Sequence, residues 1–191
     1  MGLRKTFRNR LSRMRARMRS KSRSGSAAIE FAFVAPVLFL FILGTIETGV
    51  LFFASSALQN ATDDTARLIR TGQLSGTMTA SELKTQICSE ITGLISSTNC
   101  NENLQVDLHS YSNFGSASYG SVTKKDGSLD STKMSVESTG SCDVVLLRTF
   151  YPWTVMTPMM SALLANMPNG QFLMASAAAF RTEPYLSGTT C

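Results

Sequence analysis

The sequence predicts an α+β protein in which one long N-terminal helix carries a small, strand-rich C-terminal domain. An apolar run at residues 31–54 continues directly into apolar residues at helical spacing, so that both belong to one helix. Beyond residue 72 the pattern changes to short stretches in which apolar and polar residues alternate, as they do in strands. All four cysteines lie in this second part, which indicates a domain held by two disulfides.

The first 25 residues form a basic leader. They hold ten of the eighteen Lys and Arg residues and no acidic residue, whereas residues 26–191 carry eight basic and thirteen acidic residues. The overall pI of 9.2 therefore describes neither part of the chain. Because so many like charges repel one another, we expect the leader to be disordered and to contact anionic lipid.

Residues 31–54 are long enough to cross a membrane. As a helix they extend over about 36 Å, and the hydrocarbon core of a bilayer is about 30 Å thick. Positive charges precede the run, and Asp63 and Asp64 follow it, so the positive-inside rule predicts a cytoplasmic N-terminus. The leader lacks the apolar core of a secretory signal, and the run lacks an A-x-A site at its far end. We therefore expect the helix to remain in the mature protein.

The helical pattern continues past the apolar run as an amphipathic stripe that ends near Gly72. The predicted organisation is a basic cytoplasmic leader at residues 1–25, a helix at 26–71 with its membrane span at about 31–54, and an outer domain at 72–191. Pro36 is expected to bend the helix. The apolar stripe consists of Ala54, Ala57, Leu58, Ala61, Thr65, Leu68 and Ile69.

Within residues 72–191 the pattern predicts one short helix and several strands. The helix covers 80–95 and begins at Thr79 or Ser81. Alternation predicts strands at 103–112, 131–138 and 143–150. The apolar stretch 172–180 is rich in alanine, which favours a helix, but its place after a turn fits a last strand of the sheet. We assign it as a strand.

The four cysteines are Cys88, Cys100, Cys142 and Cys191, and they allow three disulfide pairings. We favour a short local loop between Cys88 and Cys100, with Cys142–Cys191 tying the C-terminus to the domain. Zinc binding is the alternative. It calls for paired C-x-x-C spacing or nearby histidines, and His109 is the only histidine, so we expect no metal site.

No catalytic set is present in the sequence. It contains no phosphate-binding loop, no G-x-S-x-G elbow and no H-E-x-x-H motif. We expect His109 to be a solvent-facing strand residue, and Asp126 and Asp130 flank a turn without the other ligands of a calcium loop. The sequence therefore predicts neither an enzyme nor a cofactor or small-molecule site. The apolar segment around Tyr151 and Trp153 is expected in the core or in membrane-proximal packing, with an interface to a partner or to the membrane surface as the alternative.

The carboxylate of Glu30 lies at the N-terminal end of the apolar run. A charge there is unfavourable by about 2.5 kcal/mol or more unless it lies at the interface or has a partner. If a protease cuts between Gly25 and Ser26, the new amino group lies one to two helical turns from Glu30. The alternative is an uncleaved anchor whose Glu30 lies among lipid headgroups. For Glu47, near the outer boundary, we favour an ordinary interfacial acid over a second pairing site.

The segment GSAAIEFAFVAPVL at residues 25–38 resembles the TadE-like minor pilin, or pseudopilin, family of the tight-adherence (Flp) type IV pilus system. The ending RTEPY at 181–185 is similar to the Arg-x-Glu-Pro ending of that family. The resemblance implies a type IV pilin-like fold and cleavage after Gly25 by a prepilin peptidase. It further implies that Glu30 serves in recognition or pairs with the N-terminal amine of a neighbouring subunit.

Two departures from the major pilin of that system indicate a minor component. Phe31 stands where the major pilin has tyrosine, and the outer region is far larger. The resemblance implies a single-pass protein of the bacterial inner membrane, its C-terminal domain periplasmic, which helps to assemble or prime an adhesive pilus and can enter it. Its implied partners are lipid, the peptidase, other pilins and pseudopilins, and the assembly platform, without nucleic acid. The alternative is an uncleaved membrane-anchored binding module whose basic tail contacts anionic lipid or nucleic acid.

Overall fold

The computed structural model describes residues 3–74, 78–157, 159–185 and 190–191, with side chains from Gly25 onwards. The strands form one antiparallel sheet in the order β1-β2-β3. The predicted α+β class, with a long N-terminal helix and a small disulfide-bonded domain, is confirmed. The elements are α1 (Leu3–Arg70), α2 (Ala80–Glu90), α3 (Ser97–Asn103), β1 (Gln105–Tyr111), β2 (Val144–Thr154), α4 (Ser161–Leu164) and β3 (Gln171–Arg181).

The chain divides into two units, Met1–Thr45 and Ile46–Cys191. The described part of the first unit is helical, and from Gly25 onwards α1 is long and apolar enough to cross a membrane. The helix begins at Leu3, in contrast to the disorder expected for the leader, because Arg, Lys and Met are strong helix formers. Among the residues of this unit whose side chains are described, the large apolar ones that are exposed include Ile29, Phe31, Phe33, Val34, Val37, Leu38, Phe39, Phe41, Ile42 and Leu43.

In the second unit, one face of α1 packs against the sheet and against α2. Its buried residues recur every three or four positions, which is the spacing of one helix face. The opposing side chains of the sheet come from alternate positions of each strand, including Val106, Leu147 and Met174. The buried face of α1 consists of Leu51, Ala54, Leu58, Ala61, Thr62, Thr65, Ala66 and Ile69.

Polar contacts fix how β2 and β3 lie along this helix. The hydroxyl groups of Thr62 and Thr149 are 2.8 Å apart, and the Ser176 hydroxyl donates to Gln59 Oε1 at 2.8 Å. At the C-terminal end of α1, the backbone N–H of Glu183 donates to the carbonyl of Arg70. The end of the sheet that contains Val144 and Arg181 is therefore next to the end of α1.

The prediction of a strand at 131–138 is wrong. Residues Ser131–Lys133 form a 3-10 turn, and Val136 makes only an isolated bridge with Leu108. The Asp130 carboxylate accepts from the Thr132 amide and hydroxyl, which favours the turn over extended backbone. The helix predicted at 80–95 also ends early, at Glu90, and α3 follows it.

The last strand prediction is confirmed, since 172–180 lies within β3. Its alanines pair with β2, so tertiary pairing overrides their helical preference. β2 itself extends beyond its predicted end at residue 150 and includes Pro152. The pairing with β1 ends at Phe150, so Pro152 lies where β2 has a neighbour on one side only, the position in which a strand accommodates proline.

The disulfides join Cys88 to Cys100 and Cys142 to Cys191, which is the favoured pairing. Cys88 lies in α2 and Cys100 in α3, and both are fully buried in the core. The second disulfide joins the last residue of the chain to the residue two positions before β2. No cysteine is left for a zinc site.

Gly72 ends α1 in a conformation that side chains rarely adopt. Its φ is +73°, its N–H donates to the carbonyl of Ile69, and a Cβ added there would lie 2.6 Å from the ring of Tyr185. We expect Gly72→Ala to lower the free energy of unfolding by roughly 1–3 kcal/mol, through backbone strain and this clash. Urea unfolding followed by the fluorescence of Trp153 measures the change.

Gly93→Ala is the matched control for this variant. Nothing lies within 4 Å of a Cβ at Gly93, and its φ is outside the left-handed region. Its unfolding midpoint should stay near that of the unmodified chain. Equal midpoints for the two variants would contradict the assignment of Gly72 as a helix-ending residue in contact with Tyr185.

Candidate functional site

The residues of the candidate processing site lie on one continuous stretch of α1. Gly25, Ser26 and Glu30 are all exposed, and the Ser26 hydroxyl donates to Glu30 Oε1 at 3.2 Å, as residues four apart on a helix can. Phe31 is 64% exposed. Among the side chains that the structure describes, no basic group forms an ion pair with Glu30. Glu30 is thus an acid available for a partner at the start of the apolar surface.

Gly25 stands in open space. Nothing lies within 4 Å of a Cβ added at this position. A glycine inside a helix weakens it by about 1 kcal/mol relative to alanine, so the helix is easier to open here than at its neighbours. No packing requirement explains the glycine, which makes it a candidate for recognition by another protein.

Glu47 is a buried acid whose hydrogen-bond partners the sequence does not indicate. It is 6% exposed, and its carboxylate accepts from the backbone N–H groups of Met156 and Thr157, each at 2.6 Å. The acid therefore fixes the loop after β2 to α1. The sequence shows a carboxylate in an apolar run, but its partners are backbone groups more than a hundred residues away, and no sequence pattern marks them.

A second polar cluster missed by the sequence reading lies on the face of the sheet that points away from α1. Asp107 is fully buried and accepts from Arg148 Nε at 2.9 Å and Nη2 at 2.6 Å, and Ser135 N–H also donates to it. Arg148 Nη1 donates in turn to the carbonyl of Gly120. Together these contacts hold the long connection between β1 and β2 against the sheet.

His109 extends this cluster to Glu137. Its ring nitrogens lie 3.1 Å from Asp107 Oδ1 and 2.9 Å from Glu137 Oε1, so it is a partly buried bridge, not the solvent-facing residue expected. The backbone N–H of Ser110, followed by the His109 ring, lowers the pKa of the Glu137 carboxyl below its ordinary value. Every one of these groups has a structural partner, and no nucleophile stands among them.

The two acids considered as calcium ligands, Asp126 and Asp130, accept hydrogen bonds within their own turns. Asp126 accepts from Ser128, and Asp130 accepts from Thr132 and lies 3.7 Å from the ammonium group of Lys133. Across the described ranges, no group of three His, Cys, Asp or Glu residues is arranged to hold a metal ion.

The apolar segment around Trp153 is part core and part surface. Tyr151 is buried, and burial raises the pKa of its phenol. With Leu94, Ile95 and Met156, the two aromatic side chains line a pocket of about 300 Å³. The Trp153 Nε1 atom is buried and has no hydrogen-bond partner among the described residues.

Comparison with known protein families finds a match within the long helix. Residues 25–67 match the family described as TadE-like protein, and no curated protein and no solved structure matches the chain significantly. The matched segment begins at Gly25, includes Glu30 and Glu47, and ends within the buried face of α1. Residues 25–67 are thus similar to the TadE-like family, in agreement with the resemblance carried by the motif around Gly25 and Glu30.

Proposed function

We propose that this chain is a minor pilin, or pseudopilin, that a prepilin peptidase cuts between Gly25 and Ser26 and that then takes part in assembling or priming a tight-adherence pilus. The observation that best supports the proposal is the position of Glu30, five residues after Gly25, where the exposed apolar part of the helix begins. In this role the protein is a structural subunit and not an enzyme. The TadE-like match over residues 25–67 supports the proposal.

Cleavage would convert Glu30 from a lone charge into one member of a pair. The cut removes the ten basic residues of the leader and creates an ammonium group at Ser26. Two opposite charges at the edge of the hydrocarbon stabilise each other only when neighbouring helices align in one register. The Glu30 carboxylate of one subunit and the amine of another would therefore set both attraction and stagger between pilin subunits.

The topology follows from the charges that flank the span. The leader is cytoplasmic by the positive-inside rule, and the unit that carries the disulfides is periplasmic, where disulfides form. The protein is then a single-pass component of the bacterial inner membrane. Its partners are lipid, the peptidase, other pilins and the pilus assembly platform.

The intact mass of the protein extracted from membranes tests the proposal. We expect a chain that begins at Ser26, and a mass difference between oxidised and reduced samples that corresponds to two disulfides. Gly25→Ala should leave the leader attached, because a side chain at this position obstructs the peptidase. Glu30→Ala should impair cleavage or reduce the number of pili.

Gly49→Ala is the matched control, since Gly49 lies in the same helix and nothing is within 4 Å of its added Cβ. It raises helix propensity as Gly25→Ala does, but it should leave cleavage unchanged. Normal cleavage and normal pili in both the Gly25 and Glu30 variants would overturn the proposal. A full-length chain in wild-type membranes would instead favour an uncleaved, membrane-anchored binding module.

A further inference from the structure

The β2–β3 hairpin contains the longest uncharged stretch of the domain. Residues 149–180 include no Asp, Glu, Lys or Arg. The hairpin tip, which we define as residues 155–170 apart from 158, exposes three large apolar side chains: Met156, Met159 and Leu163 are 76%, 75% and 77% exposed. Charged residues of β2 and β3 lie toward the opposite end of the sheet, at Arg148 and Arg181. The hairpin is therefore uncharged at its tip, where large apolar side chains are exposed, and charged toward its base.

Glu47 sets the position of the hairpin tip along α1. Its carboxylate accepts from the N–H groups of Met156 and Thr157, so the tip begins at the level of residue 47. Exposed apolar side chains continue along α1 beyond that level, through Val50 and Phe52 to Phe53. Phe53, the last exposed phenylalanine of α1, lies six residues of helix, or about 9 Å, beyond Glu47. The start of the tip therefore lies about 9 Å to the membrane side of Phe53.

Several backbone groups of the hairpin tip meet a further requirement of a lipid environment. In hydrocarbon, a polar backbone group needs a partner within the protein. The N–H groups of Met160, Leu163 and Leu164 are bonded within the tip, and Asn166 and Met167 donate to the carbonyl of Gln171. The Leu173 N–H donates to the Asn166 side chain. An apolar surface with this much internal hydrogen bonding is suited to the boundary between headgroups and acyl chains.

We propose that the hairpin tip enters the outer leaflet of the membrane beside α1 and forms a second membrane contact of the folded domain. The occupant of its apolar surface is lipid, because the tip is held level with the exposed apolar face of the helix and carries no charge. This inference rests on the membrane span of α1 proposed above. Its consequence is that the domain is held against the bilayer and cannot swing freely on a single helix.

Trp153 is the only tryptophan and is half-buried near the end of β2, next to the tip, so its fluorescence reports on the surroundings of the tip. The test uses the full chain in vesicles of phosphatidylethanolamine and phosphatidylglycerol that contain lipids brominated either near the headgroup or near the chain end. We expect quenching of Trp153 fluorescence, stronger with the shallow bromines. Adding charge at exposed sites, with Met159→Asp and Leu163→Asp, should reduce this quenching and leave the urea midpoint unchanged.

A control chain with Trp153→Phe and Phe114→Trp moves the reporter to the other end of the sheet. Phe114 is 57% exposed and follows Tyr111, which pairs with Val144 about 33 Å from the tip. Its tryptophan should remain accessible to aqueous iodide and unquenched by either lipid. Equal lipid quenching at positions 153 and 114 would overturn the inference, as would protection of Trp153 only at high subunit density, which would identify a second subunit as the occupant.

Flotation of the same vesicles separates this inference from the proposed function. If the chain floats and resists alkaline extraction while Trp153 is not quenched by lipid, α1 spans the membrane but the hairpin tip does not enter it. If the chain does not float, the prediction that α1 spans the membrane is wrong, and both proposals are overturned. Floating together with shallow quenching supports both.

Discussion

We expect the Asp107→Ala variant to lose about 3–5 kcal/mol of unfolding free energy, because it leaves the guanidinium of Arg148 buried without its counter-charge. Arg148 is 7% exposed, and two of its nitrogens donate to the Asp107 carboxylate. The same carboxylate accepts from the Ser135 N–H, so its removal also loosens the connection between β1 and β2. Urea unfolding followed by Trp153 fluorescence measures the loss.

The pair Arg70–Glu183 supplies the control for this variant. Its side chains are 57% and 51% exposed, so Glu183→Ala should change stability by less than about 1 kcal/mol. A double variant, Asp107→Leu with Arg148→Met, should regain much of the loss, because apolar side chains of similar size can replace a buried ion pair. A small effect of Asp107→Ala, comparable with that of Glu183→Ala, would contradict the role of Asp107 and Arg148 in holding the connection between β1 and β2 against the sheet.

The second large effect is expected from the Cys142–Cys191 disulfide. It closes a loop of sequence separation 49, and a cross-link of that length stabilises the folded chain by about 4 kcal/mol in the loop-entropy account. Replacing both cysteines with alanine removes this term and frees the C-terminal residue from the turn before β2. The unfolding midpoint in urea should fall accordingly.

Cys88–Cys100 gives an internal comparison, since its sequence separation is 12 and its entropic contribution is about 3 kcal/mol. This disulfide is buried in the core, so its removal also costs packing. Reductant should lower the midpoint of the unmodified chain and of each alanine pair that retains one disulfide, and should not affect the chain that lacks both. A midpoint unchanged by Cys142→Ala with Cys191→Ala would show that the bond does not constrain the unfolded chain.

Local pattern predicted the elements of this fold best where one physical requirement acts along a continuous segment. The period of the α1 stripe follows from burial of one helix face, and Ala54, Leu58 and Ile69 are buried accordingly. Alternation located β1 and the start of β2. Alternation failed to predict the structure of residues 131–138. Apolar residues alternate there because the connection between β1 and β2 contacts one strand, while Asp130 stabilises a turn. The leader is helical although its like charges repel one another, because its Arg, Lys and Met residues have high helix propensity.

The sequence by itself determined the long helix, the apolar run and the spacing of Gly25 and Glu30, because each depends on residue type and on spacing within one segment. It left three disulfide pairings open, and the structure has the favoured one. Tertiary structure alone decided the roles of Glu47 and of Asp107 with Arg148. Burial of a charge becomes stable only when specific donors converge on it, and those donors come from distant parts of the chain. The position of the hairpin tip beside α1 is likewise a product of folding, since it depends on where a carboxylate of the helix meets two backbone amides of the loop.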